Sequence, residues 1–267
     1  WIRELENGGG EQPQSDAGEN PNTANTPAST DYHTVLDQEA LDAWLTTLRD
    51  APAFAFDTET TSLNYMDARI VGVSFAVESG TAAYVPLGHS YLGAPDQLEC
   101  DDVLEQLRPL LEDPARVKIG QNLKYDMSVL AKAGIALAGP LADTMLASYV
   151  LNSTATRHDM DSLALKYLGE KTTTFEEIAG KGAKQLTFNQ IALEQAAPYA
   201  CEDVDITLRL HATLRPQVEK EGALAEVLDS LELPLVPVLS RMERNGVALD
   251  AERLHTQSRE LESRIHE

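Results

Sequence analysis

The stretch "PAFAFDTETTSL", residues 52–63, decides both the fold and the candidate site. Its apolar part has the composition of a buried strand, and it ends with two acids, Asp57 and Glu59. Because side chains at positions i and i+2 of a strand point to the same face, both carboxylates should project together from the C-terminal end of this strand. Two such carboxylates at the edge of a core either belong to a turn or bind a cation.

Composition limits the class of protein. The chain has 267 residues, of which 43% are hydrophobic and 24% charged, as is ordinary for a soluble globular protein. The net charge of -22 argues against coating duplex nucleic acid, but not against a metal-containing site that holds one strand end. The sequence contains no run of about 18 apolar residues, so no membrane span is predicted. Cys100 and Cys201 lack metal-type spacing, so we expect a reducing, cytoplasmic setting.

Three regions are predicted along the chain. Residues 1–32 are rich in Gly, Pro, Asn and Ser, which predicts a disordered linker. Residues 33–220 should form a helix, three strands in an antiparallel meander, a strand–helix pair and then helices, that is, a mixed α/β sheet flanked by helices. Residues 221–267 should form further helices around a turn at Asn245-Gly246. Both chain ends resemble interrupted helices, so we expect a truncated chain. The later helices are predicted at 142–151, 161–168 and about 189–220.

Further acids follow the first pair. Asp126 in "GQNLKYDMSVL" lies in the first turn of a predicted helix, while Tyr199 and Asp203 in "PYACEDVDIT" share one helical face. Taken singly, these residues could be a helix N-terminal charge and solvated side chains. Together, converging carboxylates repel unless a cation neutralises them, and Mg²⁺ or Mn²⁺ prefers such all-oxygen ligands. We therefore expect two divalent ions, a tyrosine that orients the attacking water or accepts its proton, and as metal ligands Asp57, Glu59, Asp126 and Asp203.

The segments "FDTET", "GQNLKYD" and "YACED" resemble, in this order, the three exonuclease motifs of the tyrosine-containing branch of the DEDD superfamily. Residues 33–267 are similar to bacterial family A DNA polymerases in further segments, such as "DTMLASYVLNSTATRHDMDSLALKYLG". The resemblance implies an RNase H-like fold and two-metal 3′→5′ proofreading hydrolysis at the end of single-stranded or frayed DNA, with Tyr199 positioning water. It also implies a set of DNA-binding residues, namely Leu63, Gln121, Asn122, Tyr125, Arg157 and Phe175.

The resemblance further implies partners and limits. The partners would be the polymerase and 5′-nuclease domains of a longer, monomeric, cytoplasmic and nucleoid-associated chain, with no membrane contact. Residues 221–267 resemble only the start of a polymerase thumb, so we expect no nucleotide polymerisation from this sequence. Two other functions remain open: an RNase D-like exoribonuclease, and a catalytically silent domain that braces a polymerase.

Overall fold

The computed structural model describes residues 29–266 and is built around one mixed sheet. The strands run in the order β1-β4-β3-β2-β5-β6, with antiparallel pairing of β2 with β3 and of β3 with β4 and parallel pairing elsewhere. The strand bounds are β1 Asp31–Thr34, β2 Ala53–Thr60, β3 Ile70–Glu78, β4 Thr81–Pro86, β5 Val117–Gly120 and β6 Leu141–Asp143.

Helices cover both faces of this sheet, and a helical segment follows them. The bounds are α1 Gln38–Asp50, α2 Cys100–Leu111, α3 Leu123–Lys132, α4 Thr144–Leu151, α5 Met160–Leu163 with a π-helical continuation Ala164–Leu168, α6 Phe175–Ala179, α7 Leu193–Lys220, α8 Gly222–Val227 with a π-helical continuation Leu228–Glu232, α9 Leu233–Asn245 and α10 Ala251–His266. No helix among residues 29–266 is both long and apolar enough to cross a membrane.

One face of the sheet carries large side chains. Phe54 and Phe56 lie two residues apart in β2 and therefore share this face. Their rings pack edge to face with centroids 6.2 Å apart, and the ring of Phe75 in β3 lies 6.1 Å from that of Phe54. Helices α1, α2 and α3 cover this face, because their leucines belong to the same buried cluster. This face forms the main hydrophobic core of the domain.

The opposite face carries small side chains at several positions, beside Val71, Tyr84 and Ile119. Ala55, Ala76 and Ala82 are fully buried there, and they pack in one cluster with Ala196 and Ala200 of α7. Since neither surface presents a bulky side chain at these positions, α7 can lie close to the strands. The close packing of α7 places Tyr199 and Asp203, the candidate site residues of this helix, next to the end of β2.

A buried polar network holds α7 to the sheet edge. Asp205 of α7 accepts hydrogen bonds from the backbone N–H of Gly80, at 2.7 Å, and from the hydroxyl of Tyr32, at 3.2 Å. Arg209, one helical turn further, lies 3.6 Å from Asp205 and forms a two-pronged ion pair with Glu170. The network thus joins α7 to β1 and to the β3–β4 turn.

The predicted mixed sheet and its antiparallel meander are confirmed. Three boundaries differ from the prediction. Asp31 and Tyr32 belong to β1 and not to the linker, because their backbone pairs with β4. Residues 141–143 form β6, since they pair with β5, so α4 begins only at Thr144. Residues 188–190 form a 3-10 turn that precedes α7. The rest of the predicted linker, residues 1–28, lies outside the described residues.

The close packing of α7 predicts that the stability of the fold depends strongly on residue size at the helix–sheet contact. Ala200→Leu should lower the free energy of unfolding by about 1–3 kcal/mol, because extra methylene groups would be forced into a filled interior. The same change at Ala212, which is exposed on the same helix, should cost less than about 0.5 kcal/mol. Urea unfolding of both variants measures the difference, and equal losses would contradict the packing argument.

Candidate active site

Strand β2 positions the first two acids. Asp57 and Glu59 project from the face that α7 covers, in line with the alternation of the strand. Glu59 pairs in register with Gly72 of β3, and a Cβ atom at Gly72 would lie 2.2 Å from the hydroxyl oxygen of Tyr84. A glycine opposite Glu59 therefore makes room for the buried ring of Tyr84.

Helix α7 brings a third acid to the same place. One carboxylate oxygen each from Asp57, Glu59 and Asp203 lies within 4.8 Å of the others. Asp203 is 6% exposed and Glu59 is 9% exposed, and the Oε1 atom of Glu59 is buried with no hydrogen-bond partner. A buried carboxylate oxygen without a partner is costly, so this arrangement fits a hard cation with oxygen ligands.

Asp126 lies beside these three acids but is held differently. It is 1% exposed, and its Oδ1 atom accepts hydrogen bonds from the backbone N–H of Thr58, at 3.1 Å, and from the Thr58 hydroxyl, at 2.6 Å. It lines the same cleft as Asp57 and Glu59, although it is not one of the acids within 4.8 Å of one another. The expected convergence thus holds most closely for three of the four acids.

Asp143 fixes the start of α3 and was not expected to matter. Its carboxylate accepts hydrogen bonds from the backbone N–H groups of Asn122 and Leu123 at 3.2 and 2.8 Å, and of Met145 and Leu146 at 3.0 and 3.2 Å. One buried acid thereby caps α4 and also binds the N-terminus of α3, where Asn122 has a φ of 61°. An aspartate directly before a helical pattern was the signal in the sequence.

Burial, and for three of them the charge of Asp57, raises the pKa values of the four acids. Burial raises the pKa of Asp57 to about 6. Burial is also the main cause that raises the pKa of Glu59, Asp126 and Asp203, and the charge of Asp57 raises all three further. Full ionisation at neutral pH is therefore unfavourable until a positive charge enters the cluster.

Tyr199 stands one helical turn before Asp203 and is partly buried. Burial, followed by the negative charge of Asp203, raises its pKa far above that of a free tyrosine. The phenol therefore keeps its proton at neutral pH. In this state it can donate a hydrogen bond to a neighbouring oxygen, but it is a poor base.

A cleft of about 640 Å³ opens beside the acids. Five of the six residues expected to bind a strand line it, and these are Leu63, Gln121, Asn122, Tyr125 and Phe175. Leu63 is 95% exposed, so it is not a core residue. The amide group of Gln121 already bonds to protein atoms, since it donates to the carbonyl of His158 at 2.9 Å.

Arg157 does not line the cleft. Its side chain is 89% exposed and pairs with Asp159 at 3.3 Å. The structure thus places this residue apart from the other five, on the surface loop before α5.

Phe188 contributes to the cleft wall and was missed by sequence reasoning. Its ring stacks on that of Phe175, with centroids 6.5 Å apart and an interplanar angle of 14°, and it lies 6.0 Å from the ring of Tyr199. Phe188 is only 2% exposed, so it lies behind the more accessible Phe175. The available signal was an aromatic residue in the short polar stretch "QLTFNQ" before α7.

Known proteins share this fold and sequence. A family model described as 3′-5′ exonuclease matches residues 32–219. DNA polymerase I of Pseudomonas aeruginosa is 62% identical over 250 residues, which cover 92% of this chain and 27% of that protein. The chain therefore spans about a quarter of the length of this relative.

Solved structures support the fold at lower identity. The POL domain of Pol1 from M. smegmatis has a TM-score of 0.69 and 22% identity, and the match covers 87% of this chain and 35% of that one. Escherichia coli RNase D has a TM-score of 0.58 and 22% identity, covering 82% and 52%. The predicted RNase H-like α/β class is thus confirmed. The chain belongs to the 3′-5′ exonuclease family, in the form that DNA polymerase I proteins carry.

Proposed function

We propose that the chain hydrolyses the terminal phosphodiester at the 3′ end of single-stranded or frayed DNA with two divalent metal ions, Mg²⁺ or Mn²⁺. The observation that carries this proposal is the meeting of Asp57, Glu59 and Asp203 within 4.8 Å beside an open cleft. The relative named DNA polymerase I supports DNA as the substrate. The buried, unpartnered oxygen of Glu59 supports a cation at this place.

The proposed metal ligands are Asp57, Glu59, Asp126 and Asp203. Bound ions would lower the pKa of the attacking water and stabilise charge on the departing 3′ oxygen. Thr58 holds Asp126 in a fixed orientation through two hydrogen bonds, so this ligand needs little reorganisation. Tyr199, kept protonated by burial and by Asp203, orients the water through its hydroxyl.

The cleft residues would hold the strand. Leu63 and Phe175 offer apolar surfaces for the terminal bases, while Gln121, Asn122 and Tyr125 supply polar groups along the same cleft. Arg157 would bind a phosphate only after exchanging its present partner, Asp159. With β1 included, we assign the exonuclease domain to residues 31–220 and the start of a polymerase thumb to 221–267. A monomeric, cytoplasmic chain with polymerase and 5′-nuclease domains as its partners belongs to the same proposal.

A direct experiment separates the proposal from its alternatives. Single-stranded DNA and RNA of matched sequence, labelled at the 5′ end, should be incubated with the protein and Mg²⁺. We expect a ladder of DNA shortened from the 3′ end. Digestion of RNA alone would support the RNase D-like alternative, and digestion of neither, with folded protein, would support a silent bracing domain.

Asp203→Asn should separate activity from stability. The hydrolysis rate should fall at least about 100-fold, because the ions supply several kcal/mol of charge stabilisation. The melting temperature in EDTA at pH 7 should rise. The raised folded-state pKa means that stability is lost as the pH increases through it, and asparagine removes that loss. Asp96→Asn, at an exposed acid, is the control and should change neither quantity. Lower stability in EDTA would indicate a structural role for Asp203.

Tyr199→Phe should slow hydrolysis by about 10- to 10⁴-fold, the range for positioning and acid–base groups. The ring remains, so its contacts with Phe175 and Phe188 are kept and the affinity for DNA should change little. Single-turnover rates at saturating DNA measure the chemical step. A rate equal to that of the unmodified protein would remove Tyr199 from the mechanism.

Leu63→Ala should weaken the binding of single-stranded DNA by about tenfold, as expected for the loss of one apolar contact with a base. Leu92→Ala is the matched control, because Leu92 is equally exposed, at 103% against 95%, but lies outside the cleft. Fluorescence titration with a labelled oligonucleotide in Ca²⁺ compares the two affinities. Equal effects of the two changes would show that Leu63 does not contact the strand.

A further inference from the structure

A short loop holds the segment that leads into α7. We call residues Gly88–Tyr91 the clasp loop. His89 Nδ1 bonds to the carbonyl of Ile191 at 3.0 Å, and the Ser90 N–H donates to the carbonyl of Asn189 at 2.8 Å. The Tyr91 hydroxyl accepts from the N–H of Leu193, the first residue of α7, at 3.2 Å. The clasp loop thus holds the 3-10 turn that contains Phe188 at Asn189, and it holds the chain after this turn up to the start of α7.

His89 is the most constrained residue of the clasp loop. It is 5% exposed, and its Nε2 atom lies 2.8 Å from the hydroxyl oxygen of Tyr84. Since the carbonyl of Ile191 can only accept, Nδ1 carries the proton, and Nε2 accepts from Tyr84. Burial lowers the pKa of His89, which favours this neutral form. Gln97 also bonds to the backbone N–H and C=O of His89, at 2.8 and 2.9 Å.

Aromatic contacts continue from His89 to the cleft. Its ring lies 5.7 Å from that of Phe188, and Phe188 in turn stacks on Phe175. Tyr84 also contacts Phe188, at 6.3 Å. The contacts therefore run from His89 through Phe188 to Phe175, and of these three rings only Phe175 is not buried.

We propose that His89 is a positioning residue for substrate binding: it holds Phe188, which supports Phe175 as the surface on which a base stacks. This inference rests on the proposed function of Phe175. His89 lines neither the acid cluster nor the cleft that would hold the DNA, so its effect should appear in the affinity for DNA. A fixed ring binds a base more tightly than a mobile one, because no side-chain freedom is lost on binding.

The test compares three variants. His89→Leu removes both ring hydrogen bonds, His89→Asn can still donate to the carbonyl of Ile191, and Leu92→Ala is the control at an exposed position directly after the loop. KM and kcat are measured with single-stranded DNA, and the dissociation constant of thymidine monophosphate is measured by calorimetry. His89→Leu should raise KM and that constant about three- to tenfold, with kcat within about twofold. His89→Asn should recover part of the loss, and Leu92→Ala should match the unmodified protein.

A double variant identifies the route of the effect. In a Phe175→Ala background, His89→Leu should raise KM no further, because the ring that His89 positions is gone. An equal increase in both backgrounds would overturn the proposal, as would an unchanged KM in both His89 variants. If His89→Leu fails to fold, His89→Asn decides the question through the same measurements. An unmodified protein that leaves DNA intact would instead refute the proposed function.

Discussion

The close approach of α7 to the sheet is the constraint on which the candidate site depends. Alanines on both surfaces, such as Ala76 and Ala200, place no bulky side chain at these positions of the helix and the strands. Tyr199 and Asp203 thereby come beside the end of β2, where Asp57 and Glu59 project. Packing among the smallest side chains of the domain therefore determines where its charges meet.

The clustering of buried acids lowers the stability of the fold while it forms the candidate site. Buried acids within 4.8 Å of one another repel, and burial adds to the cost of their ionisation. The opposite face of the sheet, with its phenylalanines and the leucines of α1 to α3, forms a large apolar core that can tolerate this cost. A cation between the acids would convert repulsion into attraction, so the fold and the ligand are thermodynamically linked.

Local periodicity explains what the sequence could predict. Alternation in β2 places Asp57 with Glu59, and helical spacing places Tyr199 with Asp203. Interactions between distant segments explain what it could not predict. The bonds from Asp143 to the start of α3 depend on a three-residue strand too short to recognise, and the stacking of Phe188 depends on how a 3-10 turn packs. The spacing of motifs likewise could not show that Arg157 lies away from the cleft, because its loop orientation is a tertiary property.

Gly72 and Tyr84 have a consequence for sequence variation. The two residues lie on neighbouring strands, and a Cβ atom at the glycine would overlap the phenol of the tyrosine. The two positions therefore cannot change independently: any side chain at the first requires a smaller residue at the second. Because the tyrosine also bonds to His89, such an exchange would spread to a third position, and homologous sequences should vary at all three together.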